Sequence, residues 1–319
     1  MQFNNILISV VIPCYNSSEW IEKAILSVTK QSFKKIEIII VDDGSTDNTI
    51  ERINNIECEY PILIVKQKNL GPSIARNNGV LHSNGNWIAF LDSDDEWHPN
   101  KLEKQLLSLN INNSKNFSLS DCDLIDNESF FIKCHKNNIN SSDSLNNIKK
   151  EFYLGNISMI TPSILLSREL FDHVGGFDSK LRYKEDNFFI LNLLSKGGKL
   201  IYTHESLFSV RFHEKSGRNG NVKDELLTSL FEFNEGVSKI SPELLIFKKQ
   251  LNVKIYATIA RSYLGKSMAN ALYWSIKIIK HTPCKKNGYT LLFLSLLPFK
   301  KNTYIKIKEN FKNVFSKNI

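Results

Sequence analysis

Four short apolar runs, each closed by a polar turn and followed by a helical pattern, set the rhythm of the N-terminal third of the chain. Residues 6–12 are apolar apart from Ser9, and Pro13-Cys14-Tyr15-Asn16-Ser17 breaks the run. Ile21, Ile25 and Val28 recur at helical spacing, which predicts a helix over about 19–30 with Asn16 or Ser17 as its cap. Residues 36–41 are the second run; the turn Asp43-Gly44-Ser45-Thr46-Asp47 and a helix from about Thr49 follow. Residues 62–65 are the third run, and Asn69-Leu70-Gly71-Pro72 turns the chain into a helix capped by Ser73 and continuing to Val80. Residues 87–91 are the fourth. The second and fourth runs read as buried parallel strands. Strands separated by helices imply right-handed crossovers and a mostly parallel sheet.

The pattern loosens afterwards. Residues 117–126 read as a strand with an acidic turn, and 136–147, rich in Asn and Ser, as an exposed loop. Apolar structure resumes at 160–166. Helices over 168–174 and 187–195 are stopped by Gly175-Gly176 and Gly197-Gly198. Two short strands are expected near 200–202 and 207–212. From about Gly220 the chain reads as helical, over 225–233, 244–266 and 268–280. An apolar patch at 289–297 sits between Lys285-Lys286 and Lys300-Lys301, as a membrane contact, a buried helix or a dimer contact.

Composition narrows the class. The 319 residues permit one large α/β domain with an appendage, or two domains, and a hydrophobic content of 42% supplies a sizeable core. A net charge of +8 fits an anionic substrate, an anionic membrane surface or nucleic acid, and charge alone does not choose. The five cysteines form no CxxC pair, so neither a zinc knuckle nor a disulfide framework is indicated and a reducing compartment is expected. The first strand begins too early to leave room for a signal peptide, and no apolar run reaches the roughly 20 residues of a spanning helix. The expectation is a cytoplasmic protein, peripheral at the inner face of the cell membrane.

Chemistry concentrates at two strand ends. Asp42-Asp43 closes the second run and Asp92-Ser93-Asp94-Asp95 the fourth. In open α/β sheets ligands bind at the C-terminal strand edge. Carboxylates crowded there repel one another unless a cation or a donor-rich ligand lies between them. The pattern suggests a metal-assisted nucleotide site.

Six segments in order carry a resemblance: Val10-Val11-Ile12-Pro13-Cys14-Tyr15-Asn16, Val41-Asp42-Asp43-Gly44-Ser45-Thr46-Asp47, Gly71-Pro72-Ser73-Ile74-Ala75-Arg76-Asn77, Leu91-Asp92-Ser93-Asp94-Asp95, Val174-Gly175-Gly176-Phe177-Asp178 and Lys184-Glu185-Asp186. Together they resemble glycosyltransferase family 2, over roughly residues 6–216. The resemblance implies an α/β GT-A fold, a Rossmann-like, mostly parallel sheet flanked by helices. It would occupy 1–219 (nucleotide-binding half 1–110, acceptor-binding half 111–219), with 220–319 a helical C-terminal extension. It implies an inverting, metal-dependent transfer of one sugar from a nucleotide-sugar, most often a UDP-sugar, to a saccharide or lipid-linked acceptor in surface polysaccharide biosynthesis.

Residue roles follow from the same resemblance. Pro13, Tyr15 and Asn16 would wall the base pocket, Asp43 would accept a base N–H, and Asp92 would lie near the ribose. Asp94 and His213 would hold Mn²⁺ or Mg²⁺, hard cations suited to oxygen ligands and to bridging two phosphates. Arg76 would brace the diphosphate or pair with the acidic cluster, while Arg211, Ser216 and Arg218 would contact phosphate. Asp186 would take the proton of the acceptor hydroxyl, with Glu185 orienting it. The QxxRW element of processive members is absent, which points to one sugar per binding event.

Two other classes compete. A sugar-phosphate nucleotidyltransferase also needs acids and metal on an α/β sheet, but it opens with a Gly-rich basic phosphate loop where this chain has Pro-Cys-Tyr-Asn-Ser. A basic nucleic-acid-binding protein explains the charge but not carboxylates at two strand ends.

Overall fold

The computed structural model describes residues 3, 5–140, 142–158, 160–181, 184–213, 223–264, 267–281 and 289–292. The N-terminal rhythm folds as β1 (Ile8–Cys14), α1 (Ile21–Thr29), β2 (Ile36–Asp42), α2 (Thr49–Asn54), β3 (Ile62–Lys66), α3 (Pro72–Leu81) and β4 (Trp87–Phe90). These strands stand in the order β3-β2-β1-β4, all parallel. β1 has every residue buried because helices cover both faces. Ile8, Val10, Ile12, Ile38 and Ile40 are fully buried, each stabilising the fold by about 1.5–3 kcal/mol. α3 lies so close to the sheet that a Cβ on Gly79 would meet Val11 Cγ1 at 2.4 Å, so glycine is required there.

The sheet continues with β5 (Glu96–Trp97), β6 (Asn116–Ile125), β7 (Phe131–His135), β8 (Leu165–Ser167) and β9 (Lys199–Arg211). The full order is β3-β2-β1-β4-β8-β6-β9-β5, with β7 paired to β6. β8 joins β4 and β6 antiparallel, and β6 and β9 run parallel. The result is a mixed sheet, parallel over β1–β4. Helices α4 (Lys101–Ser108), α5 (Leu145–Leu154), α6 (Arg168–Val174) and α7 (Glu185–Ser195) complete this part.

Several local expectations change. The two strands expected near 200–202 and 207–212 are one strand, β9, whose thirteen residues run beside ten of β6 with register shifts around Thr203–Phe208. His204 and Glu205 occupy that bulge, which is why the run reads as broken. The loop expected over 136–147 contains buried Asn137 and Ile139 and ends in α5, capped by Ser144. β5, β7 and α5 were not anticipated. Neither Asn16 nor Ser17 caps α1, and Ser73 does not cap α3; the backbone of Trp20 and Gly71 leads into those helices without a side-chain cap.

Chain contacts divide the molecule into Met1–Arg218 with Glu235–Leu244, and Asn219–Asn234 with Leu245–Ile319. After α8 (Lys223–Ile240), α9 (Lys248–Tyr263) packs on α10 (Met268–His281) in the second unit, burying Leu251, Ile259, Trp274 and Ile278. No helix among the described residues is long and apolar enough to cross a membrane. Most of the patch at 289–297 lies outside the described residues.

Candidate active site

The C-terminal ends of β1, β2 and β4 meet the start of α3 around a cleft of about 230 Å³. Pro13, Tyr15, Asp43, Arg76, Asp92 and Asp94 all line it. Tyr15 is 47% exposed. Cys14 also lines the cleft, and burial, reinforced by Asp42, pushes its thiol well above the usual range, which disfavours the thiolate. Asn16 stands at φ +50°, a strained region for a side-chain-bearing residue. Its Oδ1 accepts from Thr46 N at 2.8 Å, tying the β1 turn to the β2 turn.

Asp43 organises one wall. Its Oδ1 accepts from Gln67 Nε2 and Leu70 N, both at 2.8 Å, and its Oδ2 from Gly71 N at 2.9 Å. Asn78 Nδ2 in turn donates to Gln67 Oε1. A carboxylate oxygen has two lone pairs, so Oδ2 retains capacity for one more donor.

Arg76 lies at the junction between the two acidic groups. It is 4% exposed, and its Nη2 donates to Asp92 Oδ1 at 2.8 Å while Nη1 lies 3.5 Å from Glu185 Oε1. Burial opposes its charge, but Asp92 and Glu185 outweigh that and hold its pKa above the ordinary value. Nε and Nη1 have no hydrogen-bond partner. The guanidinium sits 5.3 Å above the Phe177 ring, which stacks on Phe189 at 4.2 Å.

Phe177 is placed by the neighbouring residue of α3. Asn77 Nδ2 donates to Phe177 O at 2.8 Å and Asn77 Oδ1 accepts from Phe177 N at 2.9 Å, as a strand partner would. Gly176 makes room, since a Cβ there would meet Asn77 Oδ1 at 2.6 Å. The Ala75-Arg76-Asn77 and Gly175-Gly176-Phe177 segments, a hundred residues apart, are thus one unit.

Glu185 and Asp186 open α7. Burial, then the charge of Asp186, push the Glu185 carboxyl up to about 7 against the pull of Arg76. Burial also raises Asp186, opposed by the Asn187 N–H, Lys184 and Arg76. Asp186 Oδ1 accepts from Asn187 N at 2.6 Å. Lys184, at φ +62°, turns the chain sharply into the helix. A carboxylate with its pKa raised toward neutrality is suited to proton abstraction.

On the other side of the cleft, His213 Nε2 lies 2.9 Å from Asp94 Oδ2. Its ring packs on Trp20 at 4.1 Å, which fixes its orientation. Asp95 is turned away from the cleft and accepts from Arg211 N at 2.9 Å. Arg211 corrects an expectation. It is 2% exposed. A guanidinium has five N–H donors, and five contacts take them: Asp94 O, Asp126 O, Asn127 O, Ser129 Oγ and the Glu96 carboxylate. Nothing is left for a phosphate; the residue is an internal brace. Ser216 and Arg218 lie outside the described residues.

The site also includes Gln67, Asn77, Phe177 and Trp20, which sequence reasoning missed as functional neighbours. Asn77 and Phe177 stand inside recognised segments, so their adjacency to Arg76 and Gly176 was the available signal.

Comparison with known proteins agrees with this geometry. Residues 9–175 match the family described as Glycosyl transferase family 2. An uncharacterized glycosyltransferase of Haemophilus influenzae is 47% identical over 102 residues, covering 31% of this chain and 41% of that protein. The Escherichia coli UDP-Glc:alpha-D-GlcNAc-diphosphoundecaprenol beta-1,3-glucosyltransferase WfgD is 30% identical over 191 residues, covering 59% of this chain and 70% of WfgD. The match spans less than half the length of several other similar curated relatives, down to 18%. The S. aureus TarS 1-349 structure in complex with UDP-GlcNAc aligns over 91% of this chain and 80% of its own, with a TM-score of 0.62 at 18% identity, which establishes the shared GT-A fold. With the family match spanning more than half of the chain, and WfgD aligned over more than two thirds of its length, the chain belongs to glycosyl transferase family 2.

Proposed function

We propose that the protein is an inverting, metal-dependent glycosyltransferase that moves one sugar from a UDP-sugar to a lipid-linked saccharide in surface polysaccharide assembly. One observation carries the reading: Asp43, Arg76, Asp92 and Asp94 converge on a single cleft, and Arg76 connects that cleft to the raised carboxylates of α7. WfgD, whose name states a UDP-sugar donor and a diphosphoundecaprenol-linked acceptor, supports the substrate class.

Tyr15 and Pro13 flank the base, and the remaining lone pair of Asp43 Oδ2 takes an imide N–H. Asp92, held by Arg76, faces the ribose. Asp94 and His213 fit a hard divalent cation, either Mn²⁺ or Mg²⁺: an oxygen and a nitrogen donor stand together at the cleft, with Asp94 about a third exposed. No cluster of three or more protein ligands exists among the described residues. That suits a cation whose remaining ligands are diphosphate oxygens and water. When bound, the cation would stabilise the charge that develops on the departing diphosphate. Asp186 removes the proton of the acceptor hydroxyl as it attacks the anomeric carbon, and Glu185 orients the acceptor. No covalent intermediate is required.

Calorimetric titration with UDP, dTDP and GDP, each with and without Mn²⁺, tests the reading. Metal-dependent binding of UDP alone is expected, and its loss in Asp94→Ala. Binding of none of the three would overturn it. Asp186→Asn should keep donor binding and lower transfer roughly 10³-fold, within the range of general-base catalysis.

A further inference from the structure

Four large apolar side chains are exposed at one corner of the sheet: Phe130 (70%), Phe131 (65%), Ile132 (49%) and Phe212 (55%). Phe131 pairs in register with Ile125, and Phe212 N donates to Ile125 O, so β7, the end of β6 and the end of β9 bring these residues to one corner, Phe131 on the face shared by Ile125 and Arg211 and Phe212 on the other. Monomeric proteins rarely leave such a patch in water without a use. The turn that carries it is rigid. Asp126 Oδ1 accepts from Glu128 N and Phe130 N, and Arg211 grips Asp126 O, Asn127 O and Ser129 Oγ. Three cations lie along the turn and β7: Lys23, whose Nζ donates to Ser129 Oγ at 3.2 Å, and the exposed Lys133 within β7 and Lys136 just beyond its far end. Against them stand Glu128 and Asp126, the latter taken up by the turn itself. Phe212 directly precedes His213 in the cleft, and Arg211 also holds Asp94 O.

We infer that this corner docks on a lipid surface carrying acidic headgroups, with the phenylalanines entering the interface and the lysines meeting the headgroups. Aromatic and aliphatic tips flanked by lysine are the residue types that settle at that boundary. The contact would hold the cleft mouth against the membrane in which a lipid-linked acceptor resides, and in that respect it rests on the proposed function. It places the membrane contact on the catalytic unit and not on the C-terminal patch.

Cosedimentation of the full chain with vesicles tests this, using phosphatidylcholine alone and phosphatidylcholine with about a third phosphatidylglycerol. The wild type should partition onto the acidic vesicles. The double variant Phe130→Ser, Phe131→Ser should lose roughly tenfold or more in partitioning, as expected for two rings returned to water. Lys133→Gln with Lys136→Gln should weaken binding to acidic vesicles only. UDP titration with Mn²⁺ on each variant reports folding and the donor site separately, so a failed donor site and a failed docking surface are distinguishable. Equal partitioning of wild type and the phenylalanine variant, or no binding of the wild type, would overturn the inference. So would loss of self-association in the variant on analytical ultracentrifugation without any change in partitioning, which would assign the corner to a second copy.

Discussion

Two buried arginines flank the same acidic loop and do opposite work. Arg211 binds Asp94 O and the Glu96 carboxylate from behind, and all five of its donors are taken within the protein. Arg76 binds Asp92 from the front, makes no hydrogen bond through Nε or Nη1 although Nη1 faces Glu185, and lines the cleft. Burial and charge do not separate them; hydrogen-bond saturation does. A saturated cation is a brace, whereas one with unused donors beside a cleft is available to a ligand.

The contrast is sharpest under substitution. Arg211→Met leaves Glu96 and three carbonyls without their partner and should cost about 3–5 kcal/mol of stability in denaturant unfolding. Arg76→Lys keeps the charge but loses the fork that reaches both Asp92 and Glu185, so transfer should fall about 10²-fold while unfolding stays near wild type. If Arg76→Lys unfolded as readily as Arg211→Met, the distinction would collapse. Asn77→Ala removes both hydrogen bonds to Phe177 without touching the cleft and should lower transfer about tenfold. That loss should largely vanish in an Arg76→Lys background, because the clamp acts through Arg76; additive losses in the double-mutant cycle would disprove the route.

The smallest effect is in pH. Transfer should rise with pH along a limb centred near 7, the value to which burial and Asp186 bring Glu185, though the limb belongs to the carboxylate pair. Glu185→Gln should move it to lower pH. The folded protein holds this proton between about 4.5 and 7, where the unfolded chain has lost it. This group's contribution to stability therefore declines as pH rises through that window, and Glu185→Gln should flatten the decline in unfolding titrations.

How much of this was legible follows burial. β1, β2 and β4 are buried on both faces, so their apolar runs and acidic ends stood out in the sequence. β7 is exposed along most of its length and offered no alternation to read. α5 begins inside an Asn-rich stretch, and only the Ser144 cap and the spacing of Phe152 and Tyr153 mark it. Asp43, Arg76, Asp92 and Asp94 were legible as one site because each lies at a strand end or helix start facing the same edge. The role of Arg211 was not, since its partners come from two separate segments, 94–96 and 126–129, and no local pattern announces them.

The bulge in β9 makes strand length an address. Three residues of β9 are looped out against β6 before the strand reaches Arg211. Because successive strand residues face opposite sides, an odd surplus decides which of Arg211 and Phe212 turns inward. Deleting one residue at His204–Glu205 would offer the greasy ring to the internal brace position and the guanidinium to water. Composition and predicted strand content would hardly change, yet the acidic loop would lose its support. In this fold, homologues that differ by a single residue in that bulge should be aligned by the parity of the insertion before any role is transferred to the arginine.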